Sequence, residues 1–270
     1  MTPSEIVAGA FRGLEYAGLL GFVGVVVMRQ LARQPPHLGW VRPNMDGVLA
    51  LALLSGVATV ALAPSWIGAA RVAVELAALV MCLRWGPGAV PAGFAAVLLL
   101  ALAGHATGAQ PVVPAILVDE LHVLSAGIWG GGVLVLAVLR PPDGWRSPGG
   151  QDLLTRFGRV AMVAFAFTAL TGLLRATEQV TGFSDLWQTV YGAVLVAKSV
   201  GVLAMLALAA VTWRRGVPVA RTDAVMALAV MVATGAVRSI VHAREAGLDV
   251  LPAWSVAVNV NVWLPVTRPE

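Results

Sequence analysis

Apolar residues run through this chain in long uninterrupted blocks, with neither the strict alternation of a half-buried strand nor the heptad spacing of a coiled coil. Eight blocks fall at roughly 6–31, 46–63, 66–83, 88–104, 112–139, 157–176, 188–212 and 223–243. A bilayer core needs about 20 apolar residues per helix. The pattern therefore predicts an all-α, polytopic membrane protein of about eight transmembrane helices, with no room for a soluble catalytic domain. It divides into an N-terminal four-helix membrane half (1–104), a second four-helix half (105–243) and an apolar tail at the outer side (244–270).

Composition agrees with this reading. Hydrophobic residues make up 59% of the chain and charged residues 12%, with a mean hydropathy of +0.84, well beyond the 45–50% apolar content of ordinary soluble domains. The first apolar block follows MTPSE without a basic region and is longer than a cleaved leader, so it is expected to stay as a helix. The high pI comes from arginines in the gaps between blocks, which argues for a topology signal and against nucleic-acid binding. Arg29, Arg33, Arg42, Arg84, Arg140, Arg146, Arg156, Arg159, Arg214, Arg215 and Arg221 all lie in or beside alternate gaps. The intervening gaps at 63–66, 105–111 and 177–185 hold no Arg or Lys, so the positive-inside rule places both termini outside. One cysteine, Cys82, excludes an internal disulfide and a cysteine-rich metal motif. It and Met28, Met81, Met162, Met205, Met226 and Met231 read as ordinary apolar filler, with a route of sulfur donors leading inward from an outer histidine site as the alternative.

The polar residues within the blocks are more informative. At 1.5 Å per residue, His122, His105 and Glu15 each fall about 27–28 Å from the nearest inner landmark, and Lys198, Arg238 and His242 about 24–32 Å. They form one polar layer towards the outer face. An ionisable group in a membrane helix costs at least ~2.5 kcal/mol on insertion scales, so such groups usually mark a site or a pathway. Glu178, Asp185, Glu245 and Asp249 read instead as interfacial residues.

The stretch GHATGAQPVVPAILVDELH joins the fourth and fifth blocks through a short Pro-containing turn, so His105 and His122 can approach each other. Asp119 and His122, three apart, share a helix face, whereas Glu120 points away. A carboxylate on one ring nitrogen raises the basicity of the other. Imidazole suits copper, zinc, iron or nickel, while a hydrogen-bonded core histidine is the simpler alternative. The glycines of GIWGGG, residues 127–132, thin the helix so that another backbone can come close. Trp129, too deep for an interfacial belt, is expected to pack on the partner helix or to floor the polar pocket.

Taken in order, GHA at 104–106, LHVLSAGIWGGGVLVL at 121–136, RFGRVA at 156–161, TGLLRA at 171–176 and LWQTVYGAVLVAKSV at 186–200 resemble the CopD/PcoD copper-resistance family of bacterial inner-membrane proteins. The resemblance implies an eight-helix protein of the bacterial cytoplasmic membrane that takes part in copper uptake or homeostasis. It also implies a periplasmic CopC-type copper-binding partner, expected as a separate chain. On this resemblance His105 and His122 are the copper ligands, with Asp119 as ligand or as support to a ligand. Trp129, Gly131 and Gly132 match the family's W-x-G-G element, and Tyr191, Gly192 and Lys198 its Y-G…K element. Lys198 is a partner for Glu15, Asp119 or Glu178, and Glu15 and Lys198 complete the polar layer. The final block departs from the pattern: RTD at 221–223 stands where the family places a glutamate, and the chain continues past His242, read as interfacial with a third-ligand role as the alternative.

The sequence thus reads as a copper-binding, multi-pass membrane protein and not an enzyme, since no Ser/His/Asp or paired-carboxylate constellation falls in one predicted site. Two readings compete with it. One is a b-type haem electron carrier with His105 and His122 as axial ligands. The other is a structural or assembly subunit.

Overall fold

The computed structural model describes residues 3–102, 112–179 and 190–215, with positions 184 and 187 between them. Its elements are α1 (Pro3–Ala32), α2 (Met45–Leu62), α3 (Trp66–Trp85), a single 3₁₀ turn (Gly86–Ala89), α4 (Val90–Leu102), α5 (Val112–Ala126), a π-helical turn (Gly127–Gly131), α6 (Gly132–Val138), α7 (Pro148–Gln179) and α8 (Val190–Arg215). No strand occurs among the described residues. α5, the π turn and α6 form one rod, Val113–Val138, and this rod with α1, α2, α3 and α7 makes five helices long and apolar enough to cross a membrane. Val90–Leu100 and Leu195–Val211 are shorter apolar helices. The last predicted helix, 223–243, the tail 244–270, His105 and His242 lie outside the described residues.

α1 is the central post. Its span is 72% buried against 17% for α7, and Leu19, Phe22, Val23, Val25 and Met28 are shut off from the surface. α2, α3 and α4 follow as antiparallel neighbours. Asn44 and Ser65 cap α2 and α3 by accepting from Gly47 N and Gly68 N at 2.9 and 3.0 Å, satisfying backbone donors that a helix start leaves open. On the other side α1 packs against the π turn, α6 and α7.

That second packing depends on bare backbone. A Cβ on Gly24 of α1 would lie 2.2 Å from the carbonyl carbon of Gly131, and one on Gly131 would lie 1.9 Å from the Leu20 carbonyl oxygen. The sequence reading of 112–139 as one plain helix is refined here: Gly127–Gly131 widens to a π turn where it crosses α1, an interruption common at functional sites.

Register between α1 and α7 is fixed at the arginine-rich end. Arg156, in RFGRVA, donates to the carbonyls of Leu31 and Gln34 at 2.8 Å each and of Pro36 at 3.0 Å, and it is paired with Asp152. These carbonyls lie at and just past the end of α1, where helix oxygens lack intrahelical donors. From this clamp Glu15 lies sixteen residues up α1 and Thr171 fifteen residues up α7, about 24 and 22 Å. The polar groups around Thr171 and Glu15 therefore sit at similar height.

Candidate functional site

The first is a seam of hydroxyls and one imidazole between α5 and α7. His122 Nδ1 lies 2.9 Å from Thr171 Oγ1. One turn along, Thr168 Oγ1 lies 2.9 Å from Ser125 Oγ, which donates to the His122 carbonyl at 3.1 Å. The tautomer follows from counting hydrogens. Thr171 has a single hydroxyl hydrogen, and its near partners are the Phe167 carbonyl at 2.6 Å and the Thr168 carbonyl at 3.2 Å. Both can only accept, so the Thr171 oxygen receives the Nδ1–H of His122. The ring's lone pair is then on Nε2, the state in which a neutral imidazole binds a metal.

Further along the rod Trp129 stands edge-on to Phe165 of α7, with ring centroids 5.0 Å apart. Gly132 lets the Phe157 ring in, since a Cβ there would lie 2.3 Å from Phe157 Cε2. The polar seam thus ends in a tight apolar contact. Gly172 closes one side of His122: a Cβ at that position would stand 3.4 Å from His122 Cε1. Asp119, one turn before His122, and Glu120 are half-buried. Glu120 Oε2 is buried with no donor among the described residues.

Of the second group the sequence reading finds only Glu15. Glu15 on α1 and Arg71 and Glu75 on α3 are buried together, at 0, 4 and 0% exposure. Arg71 Nε donates to Glu15 Oε1 at 2.5 Å and stands 3.8 Å from Glu75 Oε1. Glu15, placed in the polar layer by depth alone, is thus engaged by Arg71. Gly56 of α2 makes the space, because a Cβ there would fall 2.7 Å from Glu75 Oε2 and 3.0 Å from Glu15 Oε1.

The structure therefore places His122, Asp119, Trp129, Gly131 and Gly132 on one rod, and Glu15 in a separate cluster. Lys198 sits in α8 with its side chain outside the described residues, and His105 is likewise outside them. No group of three or more His, Cys, Asp or Glu side chains with metal-ligand geometry occurs among the described residues. Nor is there a haem pocket among them beside His122, where Thr171 and Gly172 close one flank. A pocket at the other end of the bundle is lined by Arg29, Arg33, His37 and Arg42, a cationic wall unlike the apolar slot a porphyrin needs.

Comparison with known proteins adds the chemistry that geometry leaves open. A family model described as Copper resistance protein D matches residues 151–224, taking in most of α7 and all of α8. Over 121 residues the chain is 33% identical to the copper transport protein CutJ of Bacillus subtilis (strain 168), a match covering 44% of this chain and 22% of that protein. The chain thus spans about a fifth of that relative's length. No solved structure matches. The matched family segment contains Thr171 and Gly172, the two α7 residues that meet His122. Residues 151–224 thus match the copper resistance protein D family model, within a chain that has five helices long and apolar enough to cross a membrane.

Proposed function

We propose that the chain takes up copper at the end of the bundle opposite the arginine clusters and passes it across the bacterial cytoplasmic membrane, with His122 as a ligand. The supporting observation is the Thr171 hydroxyl, which holds Nδ1–H and leaves Nε2 as the donor nitrogen. A free imidazole samples many ring orientations; the Thr171 contact at Nδ1 holds the ring in one before copper arrives. Asp119, one turn away, supplies negative charge that favours a cation, and His105, a short connection earlier in the chain, is the second nitrogen donor.

Copper is cargo in this reading, so the chain's residues bind and release it and make no covalent bond in a substrate. The outer location of the site suits delivery from a separate CopC-type periplasmic protein. Loss of a group that orients a metal-bound histidine typically costs 10–100-fold in affinity. Purified Thr171→Val, which keeps the shape and removes the acceptor, is expected to bind copper 10–100-fold more weakly than wild type, and His122→Ala more weakly still. Titration with copper, on samples shown to elute as wild type does in size-exclusion chromatography, checks this. Wild-type affinity in both variants removes His122 from the site.

A further inference from the structure

Two carboxylates share one guanidinium in the Glu15–Arg71–Glu75 cluster, and the balance of charge is one negative too many. As carboxylates, Glu15 Oε2 and both oxygens of Glu75 are buried with no hydrogen-bond donor. Burying an ionised carboxylate in that state is strongly unfavourable. Arg71 is the cation that contacts both carboxyls. α2 offers Ser55, Gly56 and Thr59, and the Thr59 hydroxyl donates to the Ser55 carbonyl at 2.8 Å. α4, packed on α1 and α3, has no ionisable residue in VPAGFAAVLLLAL. On α1 itself Tyr16 is buried beside Glu15, and Arg12, one turn earlier, is half-buried.

The two carboxyl groups do, however, border one space, since a Cβ on Gly56 would lie 2.7 Å from Glu75 Oε2 and 3.0 Å from Glu15 Oε1. Between two carboxylates that arrangement is acceptor against acceptor and repulsive. With one proton added it becomes an O–H···O⁻ hydrogen bond, among the stronger kinds, and the cluster becomes neutral. Arg71 donates directly to Glu15 and stands further from Glu75, so Glu15 is the ionised partner and Glu75 carries the proton. We propose that Glu15 and Glu75 form a proton-binding site in the membrane interior, holding one exchangeable proton on Glu75. The site lies at the height of His122 on a neighbouring face of the bundle. Exchange of its proton during copper passage makes that passage proton-linked, a step that rests on the function proposed above.

Infrared spectroscopy of the full chain in liposomes reads the proton directly, through the carbonyl stretch of a protonated carboxyl. Glu75→Gln keeps the shape, and its amide can donate to Glu15 in place of the proton. The wild-type minus Glu75→Gln spectrum is expected to show one buried carboxyl band. Glu15→Gln is expected to lose the same band, because Glu75 then ionises as the counter-charge of Arg71. Absence of the band from both difference spectra overturns the proposal. So does its displacement by sodium chloride at constant pH, which would assign the site to a metal cation. A pH-sensitive dye inside the same liposomes separates the two claims. If the band is present and copper addition moves no protons, the proton site stands and its link to copper falls.

Discussion

Gly131→Ala is expected to unfold the membrane bundle, whereas Gly158→Ala, on α7, leaves it intact. A single methyl at Gly131 would stand 1.9 Å from the Leu20 carbonyl oxygen and 2.7 Å from its carbon. The obstacle is backbone, so no rotamer change relieves it, and α1 must move off the π turn. Overpacking typically costs 1–3 kcal/mol, occasionally more, and a clash with backbone on the central helix belongs at about 3 kcal/mol or above. A Cβ at Gly158 meets nothing within 4 Å, so replacing that helical glycine is neutral or stabilising by up to about 1 kcal/mol. Thermal unfolding of the two variants in detergent makes the comparison. Equal melting temperatures would mean that α1 and the π turn do not touch.

Arg71→Ala carries the second large effect. It strips the guanidinium that contacts both the Glu15 and Glu75 carboxyls, leaving two buried acids facing each other. Removing one partner of a buried ion pair costs about 3–5 kcal/mol, because the remaining charge is left uncompensated. Most of that loss is expected to return in the triple variant Arg71→Ala, Glu15→Gln, Glu75→Gln, which removes the stranded carboxyl groups together with the guanidinium. The same detergent melts report it. A single variant as stable as wild type would show that the carboxyls reach water, and a triple variant no better than the single one would show that Arg71 acts by packing.

Hydropathy made the membrane class legible, because in lipid every backbone polar group must be satisfied inside a helix and the length of an apolar block reports a span. The glycine-rich stretch was legible too: GIWGGG has too few side chains to be anything but a place of close approach, and α1 fills it. The π turn was not, since widening a helix by one residue leaves hydropathy unchanged. Arg71 and Glu75 were missed because, four apart on one helix, they read as a local pair within an apolar block. Their partner Glu15 is fifty-six residues earlier. Two opposite charges inside block 66–83, set beside the unexplained Glu15, were the available signal. Thr171 was visible only as the first residue of TGLLRA, with no role attached, because one hydroxyl in an apolar helix is ordinary until a histidine is found against it.

Copper uptake into sealed liposomes that hold the purified chain tests the central claim most directly. The wild type and Gly158→Ala are expected to accumulate copper at the same rate, and His122→Ala to fall to the level of liposomes without protein. Uptake by His122→Ala equal to that of wild type would contradict the account.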